Sequence, residues 1–272
     1  MTVWNPTILL TGATGGLGQA LATTLATGSG RLILHGRNAQ RLQDLREDLA
    51  GATAQLDVVQ ADLADLSQVA QLGHDVARLT DHLDVVVHNA GVGKGATDTR
   101  EVSADGYELR LAVNHLAPFA LTKHVLPLLA AGAPSRVVNV ASGAQEPIDF
   151  DDPQLEQHYS GKRAYAQSKF AMVATGFKMA RTLAPEVVTV NSLHPATLMP
   201  TRMVHEGYGR TVDELQTGVD AVMQLIVSPK LDGVSGKYFS IQQPATAHPQ
   251  TYDARVQDRL WELSEFLTGV RY

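Results

Sequence analysis

The sequence predicts a doubly wound α/β fold, a parallel sheet with helices on both faces. Three observations carry that expectation. Short β-branched, apolar runs alternate with longer helical stretches along most of the chain. Runs such as LDVVVH and RVVNVA are apolar almost throughout, the pattern of strands buried on both faces of a parallel sheet. A glycine-rich turn joins the first apolar run directly to the first helical stretch.

In chain order, Thr7–Leu10 (TILL) reads as the first strand and Gly16–Thr27 as the first helix. The apolar run Arg31–His35 and the helical pattern Gln40–Leu49 repeat the unit, followed by Ala54–Gln60 with Ser67–Thr80. Leu83–His88 is a fourth strand, before a long helical pattern over Ala104–Leu129. Arg136–Ala141 precedes Arg163–Leu183, Val187–Leu193 precedes Val212–Ile226, and Lys237–Ile241 is a seventh strand. Three loops, Gly91–Ser103, Gly143–Gly161 and Pro195–Gly209, follow carboxyl ends of strands, the edge where open α/β sheets bind ligands. A last helical patch, Ala254–Leu267, carries Leu260, Trp261, Leu263, Phe266 and Leu267 for packing on the body.

The 272 residues are 44% hydrophobic, enough for one large core. No linker, repeat or composition shift divides them, so residues 1–272 read as one domain. The absence of cysteine rules out disulfides, thiolate metal sites and a cysteine nucleophile. With 22 basic and 28 acidic residues the net charge is −6, and no basic run is present, which argues against nucleic acid or an anionic membrane as partner. The most apolar stretch, Phe119–Ala133, is broken by Lys123 and His124, so no membrane anchor is expected. The opening MTVWNPTILL has neither charged leader nor cleavage signature; a soluble, cytoplasmic protein is the expectation.

The glycine turn is Thr11-Gly12-Ala13-Thr14-Gly15-Gly16-Leu17-Gly18. Between a strand and a helix it allows a tight bend and brings backbone N–H groups up to a pyrophosphate. The second strand ends in His35-Gly36-Arg37-Asn38, with Arg41 one turn on. A carboxylate here would suit the ribose 2′-hydroxyl of NAD; an arginine suits a 2′-phosphate, so NADP(H) is favoured over NAD(H). Asp62, before Leu63, is placed either to accept from an adenine amino group or to cap the helix beginning near Leu66. Asn89-Ala90-Gly91 closes the fourth strand with small residues.

Tyr165 and Lys169 are four apart in a helical run and so share a face. An ammonium beside a phenol favours the phenolate, and a tyrosine tuned that way moves protons to or from an alcohol oxygen. Ser142, at the end of the fifth strand, lies on the same sheet edge as the glycine turn, in reach of a substrate oxygen. Pro118 has no N–H to give the Asn114 carbonyl, which frees that carbonyl for a water.

Jointly these residues resemble a short-chain dehydrogenase/reductase over essentially the whole chain. Its glycine pattern matches Gly12, Gly16 and Gly18, its Asn-Ala-Gly segment Asn89–Gly91, and its catalytic tetrad Asn114, Ser142, Tyr165 and Lys169. The stretches GRNAQRL, DGYELRLAVNHLAPFALT, YAQSKFA, NSLHPA and LWELSEFLTG are similar to the retinol-dehydrogenase-like group. The resemblance implies a three-layer Rossmann fold with a mostly parallel seven-stranded sheet, and hydride transfer between a nicotinamide and a carbonyl or alcohol. It further implies cofactor contacts from Thr11, Thr14, Gly15, Leu17, Asn38, Leu63, Pro195 and Thr197, and from Tyr165 and Lys169 themselves. His88, Ala141 and Ala196 depart from the family's usual asparagine, serine and glycine. A homodimer or homotetramer through the helices bearing Asn114 and Tyr165 is the family's habit, although the long loop before Tyr165 stands near that face.

Other chemistries fit less well. Ten scattered histidines and the acidic Asp149, Asp151 and Asp152 lack metal-ligand spacing, so no metal is expected. No nucleophile elbow precedes Ser142. The alternative to an enzyme is a catalytically silent NADP(H)-binding sensor or scaffold on the same fold. Val92, Gly93, Ala144, Gln145, Met199 and Met203 suggest a mainly apolar pocket and a small, lipophilic or aromatic carbonyl or alcohol as substrate.

Overall fold

The structure, a computed structural model, describes residues 5–28 and 30–272. Met1–Trp4, which open the stretch read as free of a leader, lie outside them. The expected strand–helix alternation is present: β1 (Thr7–Leu10), α1 (Gly16–Ala26), β2 (Arg31–Gly36), α2 (Ala39–Asp48), β3 (Gln55–Gln60), α3 (Leu66–Leu79) and β4 (Val85–His88). A short helix α4 (Leu109–Leu111) leads through a π-helical turn, Ala112–Leu116, into α5 (Ala117–Ala131). Next come β5 (Ser135–Val140), α6 (Gly161–Thr182), β6 (Val188–His194), α7 (Arg202–Tyr208), α8 (Leu215–Val227), β7 (Tyr238–Ser240), β8 (Gln243–Ala245) and α9 (Ala254–Thr268).

One sheet holds the strands in the order β3-β2-β1-β4-β5-β6-β7-β8, parallel except for β8. The strand order reverses between β1 and β4, and the crevice above their carboxyl ends is the place such a fold offers a ligand. Alternate side chains of each strand feed two cores. Ile8, Leu10, Leu32 and Leu34 pack with α1, α2 and α8 on one side. Leu9, Ile33, Val86 and Val137 pack with α3 and α5 on the other, completing three layers.

Four details differ from the sequence reading. The sheet has an eighth strand, missed because Gln243-Pro244-Ala245 is short and contains a proline, tolerated at an edge where no ladder N–H is needed. The helix expected from Ala104 starts only at Leu109. Residues 103–107 instead fold into a turn, and the Glu108 carboxylate caps the helix by accepting from the Leu111 N–H at 2.8 Å. The loop Pro195–Gly209 contains α7, whose N-terminus is capped by Thr201. Phe266 on α9 is 77% exposed, because it lies across the helix from the buried Leu260 and Ser264.

Candidate active site

The glycine turn is held from behind. Gly12 N–H donates to His35 Nδ1 at 3.3 Å, Ala13 N–H to the His35 carbonyl at 2.8 Å, and His35 Nε2 meets the Ala61 carbonyl at 3.0 Å. This bonding requires the neutral ring with its proton on Nε2. Burial enforces neutrality, pulling the pKa down to about 4. His35 thus ties the turn to β2 and β3, a role the scattered histidines did not advertise in the sequence. With Gly12 and Ala13 committed, the N–H groups of the first turn of α1, Gly16 to Gly18, which have no partner within the helix, remain available to a ligand.

Gly12 has φ +67°, and a Cβ there would stand 2.7 Å from Ala90 Cα. Gly18 faces the Gly12 carbonyl and Asn89 Nδ2, where a Cβ would collide. Gly15 is extended at the N-cap, and a Cβ on it would meet nothing within 4 Å, so the turn opens there onto free space. The three places therefore serve a bend, a close packing of helix on turn, and an open cradle, a combination that fits a pyrophosphate.

Thr11 and Asn89 stitch β1 to β4. Thr11 Oγ1 donates to the Val87 carbonyl at 3.1 Å and accepts from Asn89 and Ala90 N–H at 3.0 and 3.1 Å. Asn89 Nδ2 donates to the Thr11 and Gly12 carbonyls at 2.9 and 3.2 Å. These side chains hold the cradle's walls together. Ala90 is small because Gly12 packs against it.

At the end of β2, a Cβ on Gly36 would sit 2.8 Å from the Thr14 methyl, which explains why no acid stands there. Arg37 and Arg41 are exposed, free to meet an anionic ligand at the cradle's rim. Asn38 caps α2 by accepting from the Arg41 N–H at 2.9 Å. Asp62 Oδ1 accepts from the Ala64 N–H at 2.9 Å, while the cap of α3 is Asp65, which accepts from Ser67 and Gln68 N–H. Of the two readings kept for Asp62, the helix cap thus falls away. Leu63 is buried in the core beside it.

The chemical end lies on the same edge. Ser142 follows β5 and is 9% exposed. Its carbonyl accepts from Tyr238 Oη and Gln145 Nε2, both at 2.9 Å, and its Oγ accepts from the Ala144 N–H at 3.1 Å. Tyr165 on α6 is partly exposed beside it. Burial of the hydroxyl raises its pKa, with the Ser142 hydroxyl pulling the other way and Tyr208 adding to the rise. This corrects the sequence reading of an acidified phenol. Lys169 Nζ donates to the Val140 carbonyl at 2.8 Å and stands 6.0 Å from the Tyr165 ring centroid, so its charge does not offset the desolvation. Lys169 is itself lowered to about 8 by burial. A Cβ on Gly91 would stand 3.1 Å from Asn114 Oδ1 and 3.5 Å from Lys169 Nζ, so the residue after Ala90 runs close beside both side chains.

Asn114 lies in the π turn just before Pro118, where the helical ladder is widened: Ala117 N–H reaches back to the Ala112 carbonyl. Its side chain holds the loop after β4, accepting from Val92 N–H at 2.7 Å and donating to the Val92 carbonyl at 3.0 Å and to Ser168 Oγ at 2.9 Å. After β6, Pro195 is buried, and Thr197 is pinned by Asp213, which accepts its N–H at 2.6 Å. Thr197 Oγ1 lies 3.2 Å from His194 Nε2. Met203 of α7 packs on Gly93, and a Cβ on Gly218 would run into Met199, so both methionines lie close over glycines.

Besides His35, the groups the sequence did not single out are Tyr238, Tyr208 and Arg110, the last donating to the Gly93 and Lys94 carbonyls of the loop after β4. Each lies far in sequence from its site partner and carries no local pattern. A separate groove of about 720 Å³ opens at the opposite end of the sheet, lined by Arg31, Gln55 and His82 among others. It contains no cradle and no acid–base pair beside one, so its size says nothing for chemistry. Among the described residues no group of three or more potential ligands is placed for a metal, and no helix is long and apolar enough to cross a membrane.

Comparison with known proteins agrees with this arrangement. A family model described as short chain dehydrogenase matches residues 6–208. The chain is 34% identical to human retinol dehydrogenase 13, over 99% of this chain and 86% of that one. It is also 34% identical to a Streptomyces sp. (strain C5) protein named "Putative daunorubicin C-13 ketoreductase DnrU", over 97% of this chain and 92% of that one. A crystal structure of a Mycobacterium paratuberculosis protein superposes with TM-score 0.77 at 27% identity, covering 100% of this chain and 99% of the other. The cradle, the serine–tyrosine–lysine cluster and these matches together make the chain a member of the short-chain dehydrogenase/reductase family of oxidoreductases, in its retinol-dehydrogenase-like group.

Proposed function

We propose that this chain, as one nucleotide-binding domain over residues 1–272, is an NADP(H)-dependent reductase that interconverts a small carbonyl compound and its alcohol. The observation that supports the reading is that Gly12 leaves no room for a side chain against Ala90, and that a Cβ on the next residue, Gly91, would already touch Lys169 Nζ, so cradle and proton-transfer groups are neighbours. A dinucleotide held there would be the source or the acceptor of the hydride. The N–H groups at the start of α1 would hold its phosphates, and Arg37 with Arg41 would select the 2′-phosphate.

Tyr165, kept protonated by burial, is the general acid of the reductive direction and gives its proton to the carbonyl oxygen. The Ser142 hydroxyl donates to that same oxygen, and its carbonyl is pinned by Tyr238 and Gln145 so the group is pre-set. Lys169 balances the phenolate once the proton has left. Asn114 keeps Val92 and its loop in place beside them. The ketoreductase relative and the apolar Met199 and Met203 support a lipophilic ketone or aldehyde as substrate.

The deciding experiment is a panel of ketones and aldehydes run with NADPH and NADH in parallel, on wild type and Tyr165→Phe. Wild type should turn over with NADPH, and the variant should lose at least about a thousandfold in kcat while its NADPH Kd stays within about twofold. NADPH binding without turnover of any carbonyl would instead support a silent sensor.

A further inference from the structure

Arg110 is among the largest side chains fully buried in the molecule, at 1% exposure, and the proton-transfer scheme above does not use it. Its guanidinium is spread over four oxygens. Nε donates to the Gly93 carbonyl at 3.0 Å and Nη2 to the Lys94 carbonyl at 3.3 Å. Nη2 also reaches Glu101 at 3.4 Å, and Nη1 meets the equally buried Glu108 at 3.4 Å. Glu108 is fixed in turn by the Tyr159 hydroxyl at 3.1 Å and by the Leu111 N–H at 2.8 Å.

A buried ion pair adds little net stability over apolar packing of the same volume. What an apolar side chain lacks is a rigid fork that satisfies two successive loop carbonyls outside any ladder. Those carbonyls belong to a wall of the site. A Cβ on Gly93 would stand 2.5 Å from Met203 Cγ of α7. The Lys94 carbonyl abuts Gly161, the first residue of the helix that carries Tyr165, and Lys94 Nζ lies 5.3 Å from the Tyr208 ring centroid. One turn along the same helical run Asn114 holds Val92, so the two side chains grip three consecutive residues. The cradle for the dinucleotide has separate supports in His35, Thr11 and Asn89.

We propose that Arg110, braced by Glu108, is a positioning residue for substrate: it sets the Gly93–Lys94 wall against Tyr165 and leaves the cofactor cradle untouched. The proposal rests on the carbonyl-reductase reading for its kinetic arm only.

The test uses the full chain in three variants. Glu108→Gln with Arg110→Gln removes both charges, so neither is left unpaired; Arg110→Lys keeps the charge but not the fork. Tyr159→Phe, which deletes one hydrogen bond to Glu108, is the mild variant should the others fail to fold. Measured are NADPH Kd, kcat and KM for a carbonyl found in the panel, and amide exchange across residues 90–97. The first two variants should keep NADPH Kd within about twofold, raise KM about tenfold or more, and speed exchange about tenfold at Val92, whose N–H is held by Asn114 in the same wall; Tyr159→Phe should raise KM and exchange each about threefold at an unchanged NADPH Kd. A folded variant with KM and exchange unchanged overturns the proposal, and so does a parallel loss of NADPH affinity, which would mean core packing alone. If wild type reduces no carbonyl, the reductase reading fails separately, and the exchange measurement decides the positioning role by itself: faster exchange at Val92 supports it, unchanged exchange overturns it.

Discussion

Arg37 and Lys169 show how single side chains set measurable properties here. Arg37 stands exposed directly after Gly36, where a side chain would press on Thr14. A charge-assisted hydrogen bond is worth about 1.5–3 kcal/mol, so Arg37→Ala should raise the KM for NADPH roughly 10- to 100-fold and leave that for NADH nearly unchanged. Equal losses with both cofactors would remove Arg37 from 2′-phosphate selection. Lys169, lowered to about 8 by burial, should lose its proton before the raised Tyr165 does. The kcat/KM for carbonyl reduction should therefore fall above about pH 8, and in Lys169→Arg, whose guanidinium keeps its charge, that limb should disappear from the pH profile. A limb that stays near pH 8 in the variant would assign it elsewhere.

Among the elements, α9 gives the sharpest contrast between pattern and packing. Trp261 is 6% exposed and meets Phe119 edge-on with ring centroids 5.0 Å apart, and Tyr272 joins the same aromatic cluster. Trp261→Ala should cost about 3–5 kcal/mol, read as a lower urea midpoint with an unchanged slope. Phe266, on the opposite side of the helix and largely exposed, should move stability by no more than about 0.5 kcal/mol on substitution by Ser. Comparable losses at both positions would mean that another surface covers Phe266. The π turn Ala112–Leu116 is the second element with consequences. It runs directly into α5, whose second residue is Pro118, and places Asn114 to grip the loop after β4, while Arg110 enters from the preceding turn.

For the whole molecule, buried neutral histidines set the acid limit. His35 is pulled down to about 4, and His88 and His115 to about 3, in each case chiefly by burial. Unfolded, each would take a proton near its ordinary value of 6.5. Between those values the unfolded chain binds more protons than the folded one, so stability is complete above pH 6.5 and is lost as pH falls toward 3–4. Each group steepens the loss by up to about 1.4 kcal/mol per pH unit. Urea midpoints measured from pH 7 to 4 should drop steadily, and less steeply in His88→Gln, which keeps a polar group for Thr122 at the end of β4. A flat profile would show that these side chains do not control acid unfolding.

The alternation of apolar runs and helical stretches, the glycine turn and the Tyr165–Lys169 spacing were enough to name the fold, the sheet edge and most of the residues gathered there. They suffice because strand burial, helix periodicity and turn conformation are local properties of the chain. Tertiary structure alone settled the rest. The direction of the Tyr165 shift depends on how deeply its hydroxyl is buried and where Lys169 Nζ is spent, and neither follows from a spacing of four. The eighth strand exists only because β7 lies ready to pair with it. His35, Tyr238 and Arg110 act on groups 23 to 96 or 16 to 17 residues away, across strand ends and loops whose juxtaposition requires the whole sheet. Solvation and long-range contact are properties of the assembled molecule, and no short stretch of sequence contains them.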